Sequence, residues 1–240
     1  MARRIHTSTL HAPGDLTLSE REAHHARDVL RLGSGDEVEL FDDAGATARG
    51  TILTSNATGV VVRVDERSDA AASDDVAVRL TVAAAVPKGD RAEWMIEKLS
   101  ELGVAQFIPL ATARSVVLPA GKNKHERWTR IATEAAKQSR RRGVMRIDEL
   151  TDLEEALSAA RGAGACWHLS TTVGATSAIE LVSRDAPHDL TAFIGPEGGW
   201  TDEEIARFEA SGATGVKLTP TILRVETAAV AIASIVGSVR

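Results

Sequence analysis

From about residue 76 onward the chain alternates short apolar runs with stretches of helical period, and Gly or Pro marks many of the junctions. Residues 76–86, 107–110, 165–170, 190–194 and 216–218 read as strands. Residues 90–102, 126–139, 152–160, a stretch opened by Thr201-Asp202-Glu203-Glu204, and 227–239 read as helices. Trp94, Met95, Leu99 and Leu102 keep helical spacing until Gly103 stops the first helix, and Thr201 with Glu204 forms a capping box. Parallel neighbours need long crossover connections, so strand–helix alternation implies a mostly parallel sheet covered on both faces. Ligands of such sheets sit outside the carboxyl ends of the strands.

Residues 1–72 keep a different rhythm. Asp36-Glu37-Val38-Glu39-Leu40-Phe41 alternates as a half-buried strand does, and Asp42-Asp43-Ala44-Gly45 turns the chain. Residues 48–53 and 59–64 supply two more short strands, separated at Ser55-Asn56. Ahead of them, Ser19-Glu20-Arg21-Glu22 is a capping box opening a helix to about Leu32, with a stop at Gly33. Short strands at this spacing suggest a small barrel. Residues 68–75, made of Ala, Ser and Asp with Arg-free, aperiodic sequence, read as a linker. The expected organisation is a small β-barrel domain, 1–72, followed by an α/β domain, 73–240.

The 240 residues suffice to bury a core, and 43% hydrophobic with 26% charged residues is ordinary for a soluble globular protein. A single cysteine, Cys166, excludes an internal disulfide and fits a reducing compartment. The basic start, Met1-Ala2-Arg3-Arg4-Ile5-His6, lacks the apolar stretch of a secretion signal. The longest apolar run, 228–236, falls short of the roughly 20 residues of a membrane helix. The expectation is a cytoplasmic protein without a membrane partner.

Familiar catalytic signatures are missing. There is no G-x-G-x-x-G after the first strand of the α/β part, no phosphate loop, no G-x-S-x-G and no H-E-x-x-H. His24 and His25 are adjacent, which aims them to different sides of a helix and makes a poor metal pair, so no metal is expected. A transferase working with a bound reactive cofactor is the economical reading. The charge is also uneven. The net value is −6, yet residues 121–146 carry nine basic residues against Glu126 and Glu134. A concentrated basic stripe is the footprint of phosphate binding, and the unbroken Arg140-Arg141-Arg142 favours RNA; the alternative is a solvated helix face with a basic end.

Two stretches near the end share one design. Ile194-Gly195-Pro196-Glu197-Gly198-Gly199-Trp200 and Leu218-Thr219-Pro220-Thr221-Ile222-Leu223-Arg224-Val225-Glu226-Thr227 each begin apolar, break at Gly or Pro, and enter a helical pattern. The glycines would let a ligand approach the backbone without a Cβ in the way. These stretches resemble the two C-terminal motifs of the RsmE-type RNA methyltransferases of the knotted SPOUT class. Lys88-Gly89-Asp90-Arg91 with Glu97-Lys98 and Glu101-Leu102-Gly103-Val104 is similar to the motif after the first strand of the family's catalytic domain. Lys137-Gln138-Ser139-Arg140 resembles its glutamine-containing helix end, and His25, Arg27-Asp28-Val29-Leu30-Arg31, Gly35-Asp36 and Phe41-Asp42 resemble its barrel. The match runs in order along nearly the whole chain. Thr219-Pro220-Thr221 departs from it, standing where many relatives carry Gly-Pro-Arg.

The resemblance implies a PUA-like barrel before a trefoil-knotted α/β domain, in a homodimer that binds S-adenosylmethionine. It implies methylation of uracil N3 in 16S ribosomal RNA. The rivals are a ribose 2′-O-methyltransferase of the same superfamily and a non-catalytic RNA-binding assembly factor. The implied cofactor residues are Leu169, Ser170 and Thr171; Ile194, Gly195, Pro196, Glu197 and Gly199; and Leu218, Thr219, Ile222, Leu223 and Thr227. Arg27, Arg31, Lys88, Arg140, Arg141 and Arg142 are the implied RNA contacts. At the mouth of the last helix, Arg224 could donate to a uracil oxygen as charge develops, and Glu226 could accept the N3 proton. The alternative for these two is an Arg–Glu pair that shapes the loop. The last helix is apolar all round and must be buried, in part against a second subunit.

Overall fold

The computed structural model describes residues 3–11, 13–68, 78–118, 121–172, 174–184 and 186–239. The chain divides into two units, Met1–Ser73 with Ala136–Val144, and Asp74–Ala135 with Met145–Arg240. Most of the stretch read as a linker, 69–75, lies outside the described residues, as do the first two residues of the strand expected over 76–86.

In the first unit, β1 (Arg3–His6), β2 (Gly14–Thr17), β3 (Glu37–Phe41), β4 (Thr47–Asn56) and β5 (Gly59–Ser68) form a sheet in the order β1-β3-β4-β5-β2. Only β1 and β3 run parallel. The three strands expected from alternation are present; β1 and β2 are four residues each, too short to display a period. Their inward residues, with Ile5, Leu40, Ile52, Val60 and Val62, make the core of this unit. Helix α1 (Glu20–His24) passes into a π-helical turn at His25–Val29.

Only half of the expected Ser19 capping box forms. The Ser19 hydroxyl accepts the Glu22 N–H at 3.4 Å, but the Glu22 carboxylate is drawn away to Lys137 Nζ, 2.5 Å distant. Both side chains are nearly covered, at 6% and 7% exposure, and a charge so buried needs its opposite. The same end of the long helix is fastened by Arg4, which donates to the Ala136 carbonyl at 3.1 Å, pairs with Glu39 and lies 4.1 Å over the Phe41 ring. These contacts explain why 136–144, read from sequence as part of the α/β domain, belongs with the β unit.

The second unit holds β6 (Arg79–Ala84), α2 (Asp90–Glu101), β7 (Gln106–Ala111), most of α3 (Lys122–Ser139), β8 (Arg146–Ile147), β9 (Thr151–Asp152) and α4 (Leu153–Ala160). It continues with β10 (Ala165–Leu169), β11 (Thr176–Ser177), α5 (Ala178–Arg184), β12 (Asp189–Ile194), α6 (Asp202–Ser211), β13 (Thr214–Lys217) and α7 (Val225–Gly237). The strands run in the order β11-β13-β10-β12-β6-β7-β8, with β9 beside β7, and every pairing is parallel. The expected α/β class behind a small β domain therefore holds. The central strands are buried almost without alternation, the mark of a sheet covered on both sides. Met95, Ile96 and Leu99 of α2 and Ala229, Ile232 and Ala233 of α7 are wholly covered.

The capping box at Thr201 forms in full, Thr201 Oγ1 accepting from the Glu204 N–H and Glu204 accepting from the Thr201 N–H. Helix α7 starts two residues earlier than expected, at Val225, with Arg224 as its N-cap. Its burial is one-sided: Val225, Ala228, Ala229, Ile232, Ala233 and Val236 are covered, while Ala231, Ser234 and Ile235 keep solvent contact. Among the described residues no helix is long and apolar enough to cross a membrane.

Glu22→Ala is expected to lower the unfolding free energy by about 3–5 kcal/mol in a urea titration, because it strips the carboxylate from a buried ammonium. Replacing both partners with Glu22→Leu and Lys137→Met should recover most of the loss. A double variant as unstable as the single one would show that the pair is not what holds this helix end.

Candidate cofactor and substrate site

Because all strands of the second sheet are parallel, their carboxyl ends share one edge. Reading across β13-β10-β12-β6-β7, that edge carries the loops 218–224, 170–175, 195–201, 85–89 and 112–118. The expected cofactor residues fall on the first three and on the strand ends leading into them, at the ends of three neighbouring strands, with Thr227 in the first turn of α7. Ile194 and Pro196 are buried, Leu169, Ser170, Gly195, Leu218 and Leu223 half-buried, and Thr171, Glu197, Gly199, Thr219 and Thr227 exposed. Ile222 is 82% exposed, a bare apolar side chain on the loop before α7. Ser170 and Thr172 close a small turn in one loop through a 2.9 Å hydroxyl contact, and Thr219 Oγ1 donates to the Thr221 carbonyl at 2.8 Å in another. The Thr-Pro-Thr departure thus forms its own closed turn.

Trp200, which closes the first glycine motif but has no role assigned from sequence, organises these loops. Its indole N–H donates to the Leu169 carbonyl at 3.1 Å, joining the loop after β12 to the end of β10. Its ring packs edge-on against Phe208 at 4.8 Å, and Phe208 also stacks on His168 at 4.6 Å and meets Phe193 at 5.3 Å. Burial holds the His168 imidazolium form down, opposed by nearby Glu209, which suits a ring stacked on an aromatic face. Two of the glycines also have tasks within the chain itself. A Cβ on Gly195 would lie 3.0 Å from Trp200 Cε2, so this glycine makes room for the indole. At Gly199 nothing lies within 4 Å, but φ is +71°, and a substitution there is strained whatever the space.

Arg114 is a second residue that pattern reasoning passed over. Its Nη1 donates to the Gly198 carbonyl at 2.6 Å and reaches the Trp200 carbonyl at 3.3 Å. Glu204, while capping α6, also accepts the Ala113 N–H at 2.9 Å, so the loops after β7 and β12 are tied twice. No sequence signal marks Arg114, since both of its acceptors are main-chain oxygens more than 80 residues away.

Arg224 and Glu226 do not pair with each other. Arg224 is exposed, and among the described residues its guanidinium has no hydrogen-bond or ionic partner. Glu226 is 6% exposed; its Oε1 accepts from Arg91 Nη1 at 3.3 Å and its Oε2 is buried. Cys166, in β10, is half-buried, and burial pushes its thiol up to about 11, which makes it inert at neutral pH. Among the described residues no cluster of His, Cys, Asp and Glu could hold a metal ion.

The basic stripe is largely engaged. Lys122 pairs with Glu126, Arg127 with Glu93, Lys137 with Glu22, Arg140 with Glu39 and Arg146 with Asp148, while Lys124 sits over the Trp128 ring. Arg141 is half-buried, and desolvation brings its pKa down to about 10. Arg130 and Arg142 are exposed and have no partner among the described residues. Arg27 chelates Asp28 at 2.9 and 2.6 Å and donates to the Asn56 carbonyl at 2.8 Å, whereas Arg31 and Lys88 are exposed.

The RNA methyltransferase domain family matches residues 74–237, and the RNA methyltransferase PUA domain matches residues 18–65. The ribosomal RNA small subunit methyltransferase E of Bacillus subtilis is 33% identical over 220 residues, which cover 88% of this chain and 85% of that protein. A Legionella pneumophila protein described as a methyltransferase, solved with the bound cofactor SAM, is 28% identical, with a TM-score of 0.84 over 98% of this chain and 97% of that one. The ribosomal RNA small subunit methyltransferase E of Neisseria gonorrhoeae, at 24% identity, shares the fold with a TM-score of 0.84 over 98% of this chain and 96% of that one.

Trp200→Phe keeps an aromatic ring but removes the N–H donor and part of the indole's packing surface, and should cost about 1–3 kcal/mol of stability in urea unfolding. Gly195→Ala, whose methyl would press on the indole, should destabilise the same loop. Wild-type stability in both would remove Trp200 from the organising role.

Proposed function

The chain belongs to the ribosomal RNA small subunit methyltransferase E family, and on that premise we propose that it methylates N3 of a uracil in 16S ribosomal RNA, using S-adenosylmethionine. The observation that carries the reading is the junction of three loops on neighbouring strand ends with a free arginine beside them. Those loops fit the cofactor: their exposed Thr171, Thr219 and Thr227 offer hydroxyls, and Ile222 offers an apolar face for a flat ring. The cofactor residues proposed are Leu169, Ser170 and Thr171; Ile194, Gly195, Pro196, Glu197 and Gly199; and Leu218, Thr219, Ile222, Leu223 and Thr227. S-adenosylmethionine, when bound, supplies an electrophilic methyl group.

The protein's part is to bind the uracil, orient it and stabilise charge on it. Uracil N3 becomes nucleophilic only as its proton leaves to solvent water, and negative charge then spreads onto O2 and O4. Arg224, at the positive N-terminal end of α7 and without a partner among the described residues, is suited to donate to one of those oxygens. Glu226 presents no free oxygen to a substrate in this conformation, so its task is to shape the loop. That is the alternative raised for it from sequence, with Arg91 in the place of Arg224.

RNA contact is assigned to exposed cations, Arg31, Lys88 and Arg142, with Arg140 and Arg141 in support and Arg27 held by Asp28. We further propose a homodimer. The solvent-facing side of α7 and a groove of about 470 Å³ lined by Leu102, Val104, Val236 and Val239 support it, being apolar surface at one end of the α2–α7 pair. An RNA of the small ribosomal subunit as substrate fits a cytoplasmic location.

Calorimetry should show S-adenosylmethionine binding to the purified chain, and nuclease digestion with mass mapping should place the methyl on the uracil base. A methyl on ribose, or no cofactor binding, would overturn the reading. Arg224→Ala should lower kcat on the order of 10²–10³ with little change in cofactor affinity. Arg142→Glu should weaken RNA binding and reduce the salt slope by about 1, since a lost phosphate contact releases fewer counterions. An unchanged slope would return Arg142 to a solvated surface role.

A further inference from the structure

Arg91 is the second residue of α2, in the first helical turn, where the positive end of the helix dipole disfavours a cation. Its Nη1 nevertheless lies 3.3 Å from Glu226 Oε1 and 3.8 Å from Glu197 Oε1. The two carboxylates belong to different loops: Glu197 follows β12, and Glu226 stands in the first turn of α7, just after the loop that leaves β13. Glu226 is 6% exposed, and its other oxygen, Oε2, is buried without a hydrogen-bond partner among the described residues. A carboxylate shielded on one oxygen and bound on the other depends on its single cation far more than a surface pair does. Without that cation the two acidic loop ends would repel each other, and Glu226 would have to neutralise or swing out to water.

We infer that Arg91 is a positioning residue that straps the two loops of the cofactor pocket together and, by drawing Glu226 inward, turns Arg224 outward. Positions two apart on a helix do not share a face, so fixing one inward fixes the other's direction. The observed exposures agree: Glu226 is buried and Arg224 is exposed. The inference rests on the methyltransferase reading for what the pocket holds, but the strap itself is a property of this chain alone. Arg91 acts through Glu197, Glu226 and Arg224, and no contact with a reacting atom is assigned to it.

Two measurements test the strap. Amide hydrogen exchange in Arg91→Met should quicken across both 195–201 and 218–226 while the capping turn of α4 keeps its wild-type rate. Calorimetry on the same variant should show the dissociation constant for S-adenosylmethionine raised by about tenfold or more, the equivalent of one charge-assisted contact. Arg91→Lys, which keeps the charge but reaches one carboxylate at a time, should fall between; it also serves if Arg91→Met does not fold. Adding Glu226→Gln to Arg91→Met should bring no further loss, because both changes break one unit. Unchanged exchange in either loop, or losses that simply add, would overturn the strap. If the wild-type chain fails to bind S-adenosylmethionine, the methyltransferase reading falls, and the exchange rates still decide the role of Arg91.

Discussion

The loop between β12 and α6 holds its shape because the Trp200 indole folds back over it, donating to the Leu169 carbonyl and resting on Gly195 and Phe208. That contact makes a strand end and a loop into one rigid edge. Arg114 holds the outer carbonyls of the same loop, and Glu204 holds the loop after β7 while capping α6. Three hydrogen-bonding side chains thus replace what a longer loop would have to supply by packing. The result is a loop tied down at several points, and a loop ordered in advance loses less entropy when a ligand binds. A motif that reads as a ligand cradle turns out to spend one of its glycines on its own tryptophan.

Charge follows the same economy. The chain is net acidic, yet its basic segment reads as a polyanion site. Most of those cations are neutralised by carboxylates placed for them, several on the β unit, as with Lys137 on Glu22 and Arg140 on Glu39. A cation occupied in this way positions a helix end and contributes little to long-range attraction. What remains for phosphate is the smaller set without partners, and this is why the number of basic residues in a stretch overstates its binding power.

Much of the fold could be read from the pattern of residues. Strand and helix alternation after residue 76, the capping box at Thr201 and the glycine stops gave the order of the longer elements, apart from the seven-residue α5, because such signals are local and act within a few residues. Short strands escaped: β1, β2, β8, β9 and β11 are two to four residues long and show no period. The Ser19 box was half right, since a buried lysine far along the chain competes for its glutamate.

By itself the sequence determined the class of fold, the two glycine-containing loops and the presence of Arg224 and Glu226 at a helix mouth. Only the tertiary structure decided how those groups point. It separated Arg224 from Glu226, gave Glu226 to Arg91 across 135 positions, turned Trp200 at the end of the glycine motif back onto Leu169, and brought in Arg114, which no pattern marks. The reason is physical. Secondary structure follows from interactions a turn or a strand apart, whereas the direction of a polar side chain is set by whichever partner the packed chain places within about 3 Å of it.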